Sequence, residues 1–291
     1  VIFYHEDVEE FRAALTYTRG KTGFSAELIE KDYFCSLVLQ ALYTELPHNL
    51  VFKGGTCLNK VYMGFFRLSE DLDFSISTPD GSNRTDRSRL IQPIKTFIDR
   101  IATEIPQCKI TQPLLGANNS TQYIAEIHYT SVFSSDPGKI KIDIGLIEPL
   151  LEASVTAQAS TLVMSPFSGK ALLLGISVKC MSWHETLAEK IRAMFTRKEV
   201  AIRDFFDFWH AKRNIKVIFD ESMIISMAVK KIAVSPYPFA ALSSERISQL
   251  EKQLITDLKP VLTEESFRQF SLPEAITQAK FLELQIKDAG F

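Results

Sequence analysis

The sequence predicts an α/β (α+β) domain over residues 1–181, followed by a helical domain over residues 182–291. Two observations carry this reading. Up to about residue 181, short β-branched and aromatic runs bounded by Gly, Pro and Asp alternate with helical patterns. Beyond it, apolar residues recur at helical spacing, as in Leu187, Ile191, Met194 and Phe195, and again in Ile202, Phe205, Phe206 and Trp209.

Taken in order, Ser25 is placed to cap a helix reaching Leu46, with Ile29, Tyr33, Val38 and Leu42 among its apolar positions and Pro47 as its stop. Asn49–Lys53 reads as a short strand running into Gly54-Gly55. Thr56 then opens a short helix to Met63. Leu72–Ser77 is a strand, Thr78–Thr85 a polar loop and Asp86–Glu104 a helix. Tyr123–Ser131 and Lys139–Leu146 are strands separated by Asp136-Pro-Gly138, the pattern of a hairpin. Ile176–Met181 is a strand leading into a helix over Ser182–Arg197. Further helices are expected at Ser222–Ile232, Ser243–Leu258 and Glu264–Lys287.

Composition narrows the functional classes. With 291 residues, 46% hydrophobic, the chain can bury a sizeable core. Its formal net charge of −2 gives no global basic field, so a nucleic-acid partner would have to meet a local patch. Cys35, Cys57, Cys108 and Cys180 form no Cys-x-x-Cys pair, which points to reduced thiols in the cytoplasm and away from a zinc site or disulfide scaffold. Apolar runs such as Ala171–Ile176 are too short to span a bilayer, so no membrane role is expected. No signal-peptide pattern is visible, although a chain opening on Val leaves N-terminal targeting open. His5, His48, His128, His184 and His210 show no ligand spacing and read as structural or surface residues. The stripe Phe205, Phe206, Phe208, Trp209 reads as core.

The chemistry is concentrated in one stretch. Asp71 and Asp73 flank a single residue on a predicted strand, so both carboxylates point to one side. Two close carboxylates repel unless a cation lies between them. Upstream, the turn Gly54-Gly55-Thr56 ahead of a helix is suited to offer backbone N–H groups to a phosphate. Carboxylates for Mg²⁺ and a phosphate cradle are what transfer from a nucleoside triphosphate (NTP) requires. On the strand Lys139–Leu146, Ile140, Ile142, Ile144 and Leu146 share one face, and Asp143 projects from the other. If this strand neighbours the Asp71/Asp73 strand in register, three carboxylates converge, enough for two Mg²⁺ ions. Glu126, on the strand-like Tyr123–His128, is the rival for the third position.

Gly54-Gly55-Thr56, Asp71-x-Asp73 and a later strand aspartate together resemble the polymerase-β-like nucleotidyltransferase superfamily. The longer forms, Lys53-Gly-Gly-Thr-x-Leu-x-Lys60 and Arg67-x-Ser69-Glu-Asp-Leu-Asp73, resemble the AbiEii/AbiGii toxin family. Glu30-Lys-Asp-Tyr33, Leu187-Ala-Glu-Lys-Ile-Arg-Ala193 and Arg203-Asp-Phe-Phe-Asp207 match further motifs of that family in order, so the resemblance spans residues 28–210. It implies a mixed sheet with flanking helices and nucleotidyl transfer from an NTP. It also implies an RNA acceptor, with some members modifying the 3′ end of tRNA, and a separate antitoxin as partner. Residue by residue, it implies Asp71, Asp73 and Asp143 as Mg²⁺ ligands, with Asp143 alternatively the base for the acceptor hydroxyl. Gly54, Gly55, Thr56 and Ser69 would contact the phosphates, and Lys190 would reach the triphosphate. Arg203, Asp204 and Asp207 are nucleotide or site contacts by the same resemblance.

Several readings stay open at this level. Lys60, one helical turn after Thr56, faces either the phosphates or solvent. Periodicity alone makes Lys190 a solvent-facing lysine, and Arg203 with Asp207 an intrahelical ion pair, with Asp204 pointing elsewhere. Cys57 stands where the family commonly has serine. Residues 182–216, with Lys and Arg at 190, 192, 197, 198, 203, 212, 213 and 216, carry a modest basic excess that suits RNA phosphates or a solvated helix. The competing functions are transfer to a small-molecule or protein hydroxyl, γ-phosphate transfer, and non-catalytic nucleotide or partner binding.

Overall fold

The structure is a computed structural model and describes residues 3–46, 50–79, 81–146, 150–213 and 220–291. The chain divides into two compact units, Val1–Met181 and Ser182–Phe291. Among the described residues no helix is long and apolar enough to cross a membrane. Pro47, His48, Asn49 and Lys216 lie outside the described residues.

The first unit opens with helix α1 (Val8–Thr22) and helix α2 (Ala26–Glu45). Asp7 caps α1 and Gly23, at φ 80°, closes it in the left-handed region. Ser25 caps α2 by accepting from Leu28 N–H. Strand β1 (Leu50–Lys53) leads into α3 (Gly54–Cys57), which continues as a π-helical turn, Leu58–Met63. The glycines are thus the first turn of the helix rather than a turn before it. Strand β2 is Asp71–Ile76. The single helix expected over Asp86–Glu104 is two, α4 (Arg84–Asp99) and α5 (Ile101–Glu104), because Arg100 leaves helical geometry at ψ 8°. Asn83 and Asp86 form a capping box at the start of α4.

Strands β3 (Cys108–Ala117), β4 (Gln122–Tyr129), β5 (Gly138–Gly145), β6 (Val155–Ala159) and β7 (Ile176–Cys180) follow. Among the described residues seven strands form one mixed sheet in the order β3-β4-β5-β2-β1-β7-β6. β4 and β5 are the expected antiparallel hairpin, while β2 pairs with β5 in parallel. One face is core. Ile140, Ile142 and Ile144 of β5 and Leu72 and Phe74 of β2 are all fully buried there, each side chain contributing about 1.5–3 kcal/mol of burial. α2 packs against this core on nearly every side, with Ile29, Phe34, Cys35, Val38 and Leu39 all at 0% exposure. Phe34 stacks on Tyr129 at 4.1 Å between ring centroids. The other face of β3, β4 and β5 carries half-buried and exposed side chains.

The second unit contains α6 (Trp183–Thr196), α7 (Ile202–Arg213), α8 (Glu221–Ala233), α9 (Ser244–Gln253), α10 (Glu264–Gln269) and α11 (Leu272–Asp288). Ser182, Asp220, Ser243, Thr263 and Ser271 each cap the helix that follows. The helix expected over Glu264–Lys287 therefore breaks at Phe270–Ser271, where Ser271 caps a new helix with Pro273 in its first turn. α9 ends at Gln253 and passes into a π turn, Leu254–Leu258. Phe205, Phe206, Phe208 and Trp209 are at most 4% exposed and form core, as their spacing predicts.

Candidate active site

Asp73 of β2 and Asp143 of β5 are register partners on adjacent parallel strands, and Asp71 is the partner of Lys141. Neighbouring strands lie about 4.8 Å apart. The two-residue period therefore brings Asp71, Asp73 and Asp143 to one side of the sheet. The alternation that buries Leu72 and Phe74 on β2, and Ile142 and Ile144 on β5, turns the aspartates away from the core. Asp143 accepts from Gln122 Nε2 through both carboxylate oxygens at 2.9 Å, and from Lys141 Nζ at 3.1 Å. Glu126 is the partner of Lys141, one repeat away from Asp143. It accepts from Thr111 Oγ1 at 3.2 Å and lies 2.6 Å from His128 Nε2. The carboxylate beside Asp73 is thus Asp143, not Glu126.

The glycine turn is packed directly against these strands. Gly54 has φ +76°, and a Cβ there would lie 2.2 Å from Asp73 Oδ2. At Gly55 a Cβ would lie 2.5 Å from Arg67 Nη2 and 3.0 Å from Ser69 Oγ. Thr56 Oγ1 donates to the Asp71 carbonyl. The motif of residues 53–60 and the motif of residues 67–73 therefore interlock. Helix α2 ties down the second motif and the segment that follows β4. Lys31 pairs with Glu70 at 3.2 Å, and Glu30 accepts from Ser131 Oγ at 2.6 Å and Val132 N–H at 2.7 Å. Burial pushes the Glu30 carboxyl up, against the pull of those hydrogen bonds. The Glu30–Tyr33 motif is thus a scaffold for the site.

Lys60 faces neither phosphate nor solvent. It is 1% exposed, and its Nζ lies 2.7 Å from Asp32 Oδ1 and donates to Ser36 Oγ at 2.8 Å. Helical spacing placed it on the inward side of the turn, where α2 supplies its partner. Cys57 is also fully buried. Burial and a hydrogen bond with Cys180 push its thiol well up. The side chain at position 57 points into the protein, and only its backbone remains for a ligand. The sequence reading missed Lys53. It is the register partner of Asp73, and its Nζ would lie 3.8 Å from a Cβ on Gly145, so the side chain reaches across β2 toward β5. The signal was available: period-two alternation puts Lys53 on the aspartates' side of the sheet.

The donor set suits Mg²⁺, since all three side chains offer hard carboxylate oxygens. Among the described residues no group of three His, Cys, Asp or Glu side chains already forms a metal cage. Mg²⁺ bound to nucleotides needs none, taking one or two carboxylates together with substrate phosphates and water.

In the second unit, Lys190 is 9% exposed rather than solvent-facing. Its Nζ lies 2.9 Å from Asp204 Oδ1 and 2.8 Å from Asp207 Oδ2. Asp204 and Asp207 are three apart on α7 and so share a face. Asp204 and Asp207 thus share a buried lysine, where the helical pattern alone has Asp204 pointing differently from Asp207. Arg197 Nε adds a second cation 2.9 Å from Asp204 Oδ2. Arg203 is half-buried on the same helix. On α6, Glu185 and Glu189 hold the buried Lys231 at 2.8 and 2.7 Å. Burial lowers a lysine, but these carboxylates outweigh it and hold Lys231 above its ordinary value.

The fold is similar to that of MenT4, a nucleotidyltransferase toxin from Mycobacterium tuberculosis, at 18% identity over 95% of this chain and 89% of that one, with a TM-score of 0.60. It is also similar to a candidate nucleotidyltransferase from H. pylori, at 15% identity over 92% of this chain and 100% of that one, with a TM-score of 0.50. Among curated proteins none matches the sequence. Residues 38–280 match the family described as nucleotidyl transferase AbiEii toxin, type IV toxin–antitoxin system. The match takes in the interlocked glycine and Asp-x-Asp motifs, Asp143 and the Lys190–Asp204–Asp207 cluster, and the chain belongs to this family of nucleotidyltransferase toxins.

Proposed function

We propose that the protein is an Mg²⁺-dependent toxin that transfers a nucleotidyl group from an NTP to the 3′ end of RNA, with tRNA as acceptor. One observation carries the reading: Asp73 and Asp143 stand side by side, and Gly54 is packed against Asp73 without room for a side chain. Asp71, Asp73 and Asp143 would hold the metal, up to two ions. Bound Mg²⁺ would neutralise the triphosphate and make the attacking hydroxyl more acidic. The backbone N–H groups of Gly54, Gly55 and Thr56 would meet the phosphates, with Ser69 Oγ beside Gly55. Asp143 would orient the acceptor hydroxyl or take its proton. Lys53 would add positive charge on the aspartates' side of the sheet. Lys190, with Arg203, Asp204 and Asp207, would serve the nucleotide as the family's motifs imply. Lys60 has no place in this scheme, because Asp32 and Ser36 engage it.

A family of this kind implies a cognate antitoxin. Four free, buried cysteines suit the reducing cytoplasm, where tRNA is found. The test incubates the protein with Mg²⁺, total bacterial tRNA and each α-labelled NTP, beside Asp71→Ala. Label entering tRNA with the native protein alone supports transfer, donor and metal site together. Label entering from γ-labelled NTP instead would mean phosphate transfer. No label in any RNA would move the acceptor to a small-molecule or protein hydroxyl.

A further inference from the structure

The face of the sheet that bears Asp143 continues beyond it, across β5, β4 and β3. Register partners form rows on this face. Beside Asp143 stand Ile124 and then Leu115. The next row holds Lys141, Glu126 and Gln112, and the one after it Lys139, His128 and Lys109. Leu115 is 55% exposed. The side chains of Lys139 and Lys141 are 61% and 44% exposed. The opposite face is closed, with Tyr123, Ala125, Ile127, Ile140 and Ile142 at most 1% exposed.

We propose that this open face of β3–β5 is the track for the acceptor strand, and that it takes the single-stranded 3′ end of an RNA. The proposal rests on the RNA-transfer reading above and adds where the acceptor lies. A 3′-hydroxyl at Asp143 sets its own base over the apolar pair Ile124 and Leu115. The preceding phosphates then run toward Lys141, and on to Lys139 and Lys109, about 14 Å away along the strand direction. An apolar rest for a base joined to a basic run for the backbone is the pattern of single-strand binding, met here with aliphatic rather than aromatic side chains. The basic residues are local, since the whole chain is slightly acidic at −2. Glu126 lies within the track. Its carboxylate lies 2.6 Å from His128 Nε2 and 3.9 Å from the Lys139 ammonium, and its oxygens can accept from a ribose hydroxyl or a base amino group.

The test uses the full chain and a fluorescent hairpin RNA with a single-stranded 3′ end. Affinity is measured against salt for the native protein, for the double variant Lys109→Gln/Lys139→Gln, and for Leu115→Asp. NTP binding is measured on each as a control for folding and for the donor site. The expected result is a salt slope for the double variant shallower by about 1.4, roughly 0.7 for each single-strand phosphate that is no longer neutralised. Leu115→Asp weakens RNA binding, and NTP binding is unchanged in both. An unchanged slope with label still entering RNA would overturn the track while leaving RNA transfer intact. Label entering a small-molecule or protein hydroxyl and no RNA would remove the track and the RNA reading together.

Discussion

Gly54 and Asp73 are in such close contact that a single added Cβ at the glycine would lie 2.2 Å from the carboxylate oxygen. The glycine also holds a φ of +76°, which L side chains rarely adopt. Gly54→Ala is therefore expected to abolish label transfer and to cost about 1–3 kcal/mol from backbone conformation alone. Gly55→Ala meets a guanidinium end and a hydroxyl rather than the carboxylate, so it should retain more activity. Initial rates and urea melts of the two variants check the ranking. Gly54→Ala as active as Gly55→Ala would break the link between the turn and Asp73.

The buried pair Lys60–Asp32 makes a second prediction, because it separates scaffold from site. Removing Lys60 leaves Asp32 uncompensated at 3% exposure. Breaking a buried pair in this way costs about 3–5 kcal/mol. Burial already pushes the Asp32 carboxyl up despite its lysine. Lys60→Met should therefore destabilise the first unit strongly, and Lys60→Met/Asp32→Leu should recover much of the loss. NTP affinity of the double variant should match the native protein. A large loss of NTP affinity in that variant would return Lys60 to the phosphates.

Much of the site was legible because it obeys a period of two. Asp71, Asp73 and Asp143 sit opposite fully buried apolar residues, so both strands declared their faces in the sequence. Their adjacency did not follow from the pattern, since β2 and β5 are separated by two other strands in chain order. β3 escaped because bulges between Ile110 and Leu115, together with Pro113, break its alternation. β6 escaped because it is an edge strand on which only Ala159 is buried. Helix α1 had readable ends in Asp7 and Gly23. Spacing alone left solvent as an open alternative for both Lys60 and Lys190 for a common reason: a charged residue at a helical position is assigned to solvent unless its partner is known. Those partners, Asp32 and the Asp204–Asp207 pair, are 28 and 14 or 17 positions away.

Lys53 carries a third prediction. It is the register partner of Asp73 and reaches toward Gly145 on the side where triphosphate charge would develop. Removing a single preorganised group of this kind typically costs about 10²–10³ in kcat. Lys53→Met is expected to lower the rate of label transfer within that range while leaving thermal stability within about 1 kcal/mol, since the residue is only half-buried. Steady-state rates with NTP and RNA varied in turn, beside a melt, provide the check. A variant with unaltered kcat would remove Lys53 from the chemistry.

The last prediction concerns pH and the second unit. His210 stacks against Phe206 at 5.8 Å between centroids, and burial lowers its pKa from 6.5 to about 4, with Asp207 opposing the shift. Between these values the unfolded chain binds a proton that the folded one refuses. Stability from this group is therefore complete above pH 6.5, falls as the pH drops through 6.5 toward 4, and is not lost further below that. His210→Phe keeps a ring against Phe206 and removes the proton site. The native protein should lose more stability than His210→Phe between pH 7 and pH 5, a window above most carboxylate titrations. Urea midpoints for both proteins at pH 7, 6 and 5 measure the difference. Parallel pH dependence would mean that His210 titrates alike in the folded and unfolded chain, and that the packing around Phe206 and Trp209 leaves its ring open to solvent.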